Sequence, residues 1–370
     1  MAVLTYVRYG DTPDTLAGAG GAQKLKGATG YENFLYGDAG LIDHGIGGSD
    51  TLIGGKASLA GTVNSLIGDA GGIIDGFGGN DVVRAKPGTL NYLYGDALDI
   101  GTTAGGTSHG GQDLIGGARN AEVFAYGDAY TLSGSAAGGN DVLRGSNAVG
   151  PAGSAANTLH GDAFQMVGSA VRGGDDKLFG GNGDAVNFLY GDAYQIAGDA
   201  GGALVACGND TLKGGEGADN TLYGDAANMG VAAGGNDRLT GGSYGATNVL
   251  YGDGYFVQDG TCGNDTLVGG KDANDAMWGD ALLLSGATGG ADIFRFVGDG
   301  AFNIGADTIW DFEPGKDRID LKAFAGLGIH GIADLTILLS GGDSVIDFGG
   351  GNTITVKDAA ALSAADFLFA

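Results

Sequence analysis

The stretch GNDTLKGGEGADNTLYGDA, Gly208–Ala226, decides the fold. It is mostly glycine and small polar residues, the composition of a linker, yet an aspartate or a leucine returns every few positions. Its parts recur along the chain. The tetrad Leu-Tyr-Gly-Asp and its variants end at Asp38, Asp69, Asp96, Asp128, Asp162, Asp192, Asp225, Asp253 and Asp280. A second signature, Gly-Gly-Asn-Asp and its variants, ends at Asp50, Asp81, Asp113, Asp141, Asp176, Asp210, Asp237, Asp265 and Asp292. The two alternate without exception, most often with a period of 27 to 28 residues. Between them lies a looser apolar cluster: Tyr130 and Leu132, Phe164 and Met166, Tyr194 and Ile196, Tyr255 and Val257, Leu282 and Leu284. Internal repetition of this length is the mark of a solenoid or array.

Each repeat reads as three short strands separated by glycine turns. In Asn220-Thr221-Leu222-Tyr223, period-two alternation puts Asn220 and Leu222 on one face and Tyr223 on the other. The strand Asp210-Thr211-Leu212 supplies a second leucine. Segments of three or four residues cannot stand alone as a sheet. Stacked coil on coil, roughly 4.8 Å apart, each strand pairs in parallel with its own copy and the leucines form a continuous ladder. The expected fold is therefore all-β, a right-handed parallel β-solenoid of about nine repeats.

Composition bounds the function. The 370 residues include 80 Gly and only 4 Pro, which excludes collagen. With 43% hydrophobic residues, 15 Phe and 14 Tyr, there is too much apolar material for a solvated tail. A formal net charge of −26 argues against nucleic acid or an anionic membrane as partner and for cations. No run has the length of a membrane span, and MAVLTYVRYGD lacks the layout of a cleaved signal peptide.

The glycine and aspartate pattern resembles the RTX (repeats-in-toxin) nonapeptide GGxGxDxUx, whose turns bind calcium in a parallel β-roll. Gly214–Asp219 is close to its first half and Gly235–Leu239 supplies its second; the resemblance spans about residues 10 to 292. It implies multiple calcium ions sandwiched between successive turns, with the Gly-Asn-Asp aspartates as ligands. Calcium takes six to eight hard oxygens, and glycine turns offer carbonyls at φ values closed to other residues. Without cations, rows of like charges a few ångströms apart would destabilise the stack.

Two departures matter. A β-roll of that family closes a coil in two nonapeptides, about 18 residues, whereas this repeat is three nonapeptides long. Either the coil has three strands with like stacked on like, the simpler account, or each repeat makes one and a half coils. The aspartate of Leu-Tyr-Gly-Asp also stands where the family has its second glycine. It is an added carboxylate that either completes a calcium shell or caps a turn in αL geometry, which aspartate tolerates.

After Asp292 metal motifs thin out and bulky apolar residues increase. Val345, Ile346 and Phe348, then Ile354 and Val356, flank Gly-Gly-Gly-Asn like hairpin strands. The division expected is a repeat solenoid over 1–292 and a C-terminal β cap over 293–370. The latter resembles the C-terminal region of RTX proteins exported by type I secretion, with Asp311–Leu321 as the closest match. That implies an uncleaved export signal and a secreted protein, extracellular or on the surface of a Gram-negative bacterium.

Other features read blandly. Tyr36, Tyr94, Tyr126, Tyr190, Tyr223, Tyr251 and Trp278, interrupted by Ile67 and His160, form an aromatic row that suits strand stacking more than sugar binding. Gly106–Gly110 and Gly241–Gly245 match a nucleophile-elbow string, but outside any strand-to-helix context. No HExxH zinc motif exists, and repeats beginning near residue 10 leave no room for a catalytic domain, so no enzyme is expected. Cys207 and Cys262 share one repeat position two repeats apart, roughly 9.6 Å or more and beyond disulfide reach; free thiols or an intermolecular bond are expected. The leading expectation is a structural protein that self-associates into surface or matrix fibres. The alternative is an adhesin that binds glycans through the aromatic row and the loops at 102–109 and 199–205.

Overall fold

The computed structural model describes residues 4–57, 62–168, 170–199 and 204–370. Among them the chain winds into a parallel β-solenoid of about ten coils with three strands per coil. In the opening stretch the first strand of a coil is Asp219–Tyr223 and its middle strand Ala226–Gly230, while Thr211–Lys213 is the third strand of the coil before. Each kind of strand stacks on its own copies, giving sheets of 14, 10 and 12 strands. Asn187, Leu189 and Tyr190 pair with Asn220, Leu222 and Tyr223, which pair in turn with Asn248, Leu250 and Tyr251. Leu178, Leu212 and Leu239 align in the same way. Like stacks on like at every step, so the one-and-a-half-coil alternative does not hold.

The alternation seen in the sequence explains the packing. Leu222 of the first strand and Leu212 of the third both point into the coil and are fully buried in one continuous core. Each such side chain contributes about 1.5–3 kcal/mol over its exposed state. Ile100, Leu132, Met166, Ile196, Met229 and Val257 of the middle strands build a second core with the small residues Ala136, Val171, Val205 and Ala232. The middle strands do not keep strict alternation: Tyr130, Tyr194 and Tyr255 stand two residues before the buried Leu132, Ile196 and Val257 yet are exposed. In the last copy Leu282 and Leu284 are both exposed, against the expectation of an apolar cluster there.

The glycines of the Tyr-Gly-Asp turns serve a different purpose from the one the sequence suggests. Neither they nor the aspartates that follow them have positive φ. What demands glycine is proximity: a Cβ on Gly224 would lie 1.6 Å from the carbonyl oxygen of Gly252 in the next coil and 2.2 Å from Asp237 Oδ2. The turns of successive coils touch backbone to backbone, and no side chain fits between them.

Beyond Asp292 the ladders continue. Ile293–Arg295 pairs in parallel with Arg318–Asp320, and Ala306–Ile309 with Asn352–Val356. Asp343–Gly349 and Asn352–Val356 form the antiparallel hairpin expected around Gly-Gly-Gly-Asn, and Thr336–Ser340 adds a third strand. Buried Phe294, Phe296, Phe324 and Phe367 close the apolar core at this end. Apart from three short 3-10 turns there is no helix among the described residues, and none long and apolar enough to cross a membrane.

Candidate metal centre

Two turns face each other inside every coil: Tyr-Gly-Asp, which ends the first strand, and Gly-Gly-Asn-Asp, which starts the third. Their aspartates all point inward, and all 18 are buried. One oxygen of each is tied down. Asp225 Oδ1 accepts the N–H of Gly235 across its own coil at 2.9 Å, and Asp192 does the same for Gly208. Asp237 Oδ1 accepts the N–H of Asp210 in the preceding coil at 2.7 Å, a link repeated from Asp50 to Asp292. The added carboxylate therefore does hold a turn.

In most of them the second oxygen has no such partner, although in Asp128 and Asp162 both oxygens accept the turn N–H. Oδ2 of all nine Gly-Asn-Asp aspartates is buried without a hydrogen bond, as is one oxygen each of Asp38, Asp69, Asp96, Asp192, Asp225 and Asp253. The two rows read separately in the sequence converge into one mixed column. Asp38, Asp50 and Asp69 bring one carboxylate oxygen each within 4.8 Å of one another, and so do Asp69, Asp81 and Asp96.

The electrostatics follow from this crowding. Removal from water pushes Asp50 up to about 7, Asp96 to about 7, Asp81 to about 9 and Asp292 to about 8, with hydrogen bonds from backbone N–H groups pulling the other way. Burial and then neighbouring carboxylates raise Asp69, Asp113, Asp225, Asp237 and Asp265 well above the ordinary carboxylate range. As arranged, the column holds protons or cations, because ionised carboxylates packed without partners cost several kcal/mol each.

At the opposite corner an asparagine ladder occupies the same kind of position. Asn157, Asn187, Asn220 and Asn248 are buried, each Nδ2 donating to the Oδ1 of the next at 2.8–2.9 Å. Each Oδ1 also accepts a turn N–H, as Asn187 does from Gly181 and Asn220 from Gly215. The ladder ends in acids: Asn248 donates to Asp275, whose backbone N–H donates to Asp307.

Three members of the aspartate column escaped the repeat pattern. Asp11 ends a Tyr9-Gly10-Asp11 that is itself a copy of the motif, and it accepts from the Gly21 N–H at 2.8 Å. The signal was present, but Gln23 stands where the partner aspartate belongs, and its amide donates to Asp11 at 2.5 Å. Asp311 follows Trp310 with the glycine missing and accepts the N–H groups of Gly279 and Asp280. Asp317 accepts the N–H of Asp292. The signal for the last coil was an aromatic directly before the aspartate, Trp310 before Asp311, and Trp310 does stack on Trp278.

The aromatic row is broken at Ile67, between Tyr36 and Tyr94, and is a continuous stack from Tyr94 onward. Tyr190 and Tyr223 lie 4.9 Å apart and parallel within 1°, Tyr223 and Tyr251 5.1 Å apart, and the row runs on to Trp278. His160 fits between Tyr126 and Tyr190, and burial depresses its pKa to about 3, so it stacks as a neutral ring. The ring faces cover one another. Of the two loops considered for glycan binding, residues 200–203 lie outside the described residues.

Three-sided parallel coils joined by glycine turns, with an aspartate column inside, define a repeat β-solenoid similar to the RTX type. Residues 173–355, just under half of the chain, match the family model described as Peptidase M10 serralysin C terminal, the RTX-repeat β-roll region of serralysin-type secreted proteins. No curated protein matches the chain.

Proposed function

We propose that the chain is a secreted calcium-binding repeat protein whose coils are completed by calcium along the aspartate column. The observation that carries this is the row of buried carboxylate oxygens without hydrogen-bond partners at all nine Gly-Asn-Asp positions. The residues fit the ion: an anionic set of hard oxygens, with glycine carbonyls packed against the same column, is the donor chemistry calcium takes. Asp50, Asp81, Asp113, Asp141, Asp176, Asp210, Asp237, Asp265 and Asp292 hold it. Asp38, Asp69, Asp96, Asp128, Asp162, Asp192, Asp225, Asp253 and Asp280 complete the shells from the facing turn.

Binding then supplies folding free energy. In calcium-poor cytosol, repulsion within a chain of charge −26 keeps it extended and suited to threading through an export channel. Residues 293–370 act as cap and type I export region beyond the repeat solenoid of 1–292. Outside, calcium at roughly millimolar concentration matches the weak end of oxygen-site affinities, and the solenoid assembles. Its use there is structural: end-to-end association into fibres. In support, the outermost strands of the first sheet, Thr5–Tyr9 and Thr336–Ser340, carry exposed Val7, Leu338 and Leu339.

The test is a calcium titration of the chelator-treated chain, followed by circular dichroism and native mass spectrometry. Cooperative gain of β structure with several ions bound per chain is expected. A chain that folds fully at pH 9 with no ion bound sinks the proposal. Electron microscopy of the calcium-loaded form tests the assembly role, for which monodisperse short rods would be the adverse outcome.

A further inference from the structure

The residue three positions before each Gly-Asn-Asp aspartate is glycine in seven repeats and cysteine in two, Cys207 and Cys262. The glycines face carboxylates at very short range. A Cβ on Gly173 would lie 1.6 Å from Asp192 Oδ1 and 2.9 Å from Asp162 Oδ2; on Gly234, 1.9 Å from Asp253 Oδ1 and 2.8 Å from Asp225 Oδ2. This position therefore looks onto two successive Tyr-Gly-Asp carboxylates, one of its own coil and one of the next. In two coils a thiol is inserted between that pair. Sγ of Cys207 and one oxygen each of Asp192 and Asp225 lie within 4.8 Å of one another, and the same holds for Cys262 with Asp253 and Asp280.

A second observation points to a ligand. Asp192, Asp225 and Asp253 are fully buried, and in each the Oδ2 oxygen has no hydrogen-bond partner. Both cysteines are free, and each is half-buried against its carboxylate pair. A thiol adds nothing to a shell of hard oxygens. One thiolate with two carboxylates suits a borderline or soft divalent cation such as Zn2+ or Cd2+.

We propose that Asp192, Cys207 and Asp225, and separately Asp253, Cys262 and Asp280, form two thiolate–carboxylate sites for a zinc-like divalent cation. Asp192, Asp225, Asp253 and Asp280 are then shared between these sites and the neighbouring calcium shells, and the sulfur interrupts an otherwise all-oxygen column. On binding, the thiol S–H breaks, its proton leaves to solvent, and a sulfur–metal bond forms; no oxidation is involved. The donor set then carries three negative charges against two positive. The seven glycine coils cannot do the same, having no sulfur to offer.

The full chain, folded in saturating calcium so that oxygen-only sites are filled, is titrated with Cd2+. The ultraviolet thiolate-to-cadmium charge-transfer band and the rate of thiol alkylation are followed. Two band-forming cadmium ions per chain are expected, with alkylation slowed once they are bound. The variants C207G and C262G restore the glycine of the other coils and keep the fold, as circular dichroism checks. Each should lose half of the band, and the double variant all of it. Absence of a band with excess Cd2+, or cadmium binding undiminished in the double variant, overturns the sites. Either result leaves the calcium reading standing, since that depends on the separate calcium titration. Conversely, a chain that folds without calcium still reports the cadmium band.

Discussion

Two ladders run along the inside of this solenoid and differ by one atom type. The asparagine ladder through Asn157, Asn187, Asn220 and Asn248 and the aspartate column through Asp210, Asp237 and Asp265 both accept backbone N–H groups and stack once per coil. The carboxamide brings its own donor, so every rung satisfies the next. The carboxylate has acceptors only, and one oxygen per Gly-Asn-Asp residue stays unpaired. One corner of the coil is complete with protein alone, while the other is complete only with a cation or a proton. Where the asparagine ladder turns acidic the same difficulty appears: burial drives Asp307 up to about 9 beside Asp275, which sits at about 6.

The largest expected effect breaks this asymmetry with acid. Burial raises the column aspartates, Asp192 to about 6, Asp96 to about 7, Asp292 to about 8 and Asp81 to about 9, from an ordinary 3.8. Groups raised on folding stabilise the fold fully below their unfolded pKa and lose that contribution as pH rises through their folded values. Calcium-free chain should therefore lose β structure between about pH 6 and 9 and regain it on acidification. Calcium-loaded chain should instead hold its fold in that range. A calcium-free circular dichroism signal that is flat from pH 5 to 9 would refute the account.

A smaller effect comes from moving the carboxylate to the other corner. Asn187→Asp removes the donor to Asn220 Oδ1 and to the Gly181 carbonyl. It should cost about 1–3 kcal/mol in calcium-saturated chemical denaturation, the usual penalty for unpaired buried groups. The reciprocal change is smaller still. Asp237→Asn supplies the missing donor, so the calcium-free fold should gain about 1 kcal/mol while the calcium stoichiometry of the loaded form falls. If the calcium-free gain is absent, the two ladders are not equivalent in the way their geometry suggests.

Much of this was legible in the residues themselves. Leu212 and Leu222 declared their buried faces by alternation, and because Leu-Tyr-Gly-Asp and Gly-Asn-Asp keep their identities, a three-strand coil followed. A repeat, however, is information along the chain and along the stack, not across the coil. Nothing in the spacing of Asp225 and Asp237 says that their turns meet inside the same coil and merge two rows into one. Glycine was read for its φ freedom, whereas Gly224 is needed because Gly252 of the next coil touches it. Asp11 and Asp311 were missed for opposite reasons. The first has its motif intact but a glutamine for a partner; the second keeps its position and loses the glycine.

The stacked rings have an optical consequence. The two tryptophans, Trp278 and Trp310, sit 5.4 Å apart at one end of a column of tyrosines spaced by about 5 Å. Excitation absorbed by any tyrosine of the stack has a short, parallel path of hops toward the lower-energy indoles, and none once the coils separate. Emission from the assembled chain should come almost wholly from tryptophan even when tyrosine is excited. The colour of its own fluorescence then reports, without any added label, how many coils have closed.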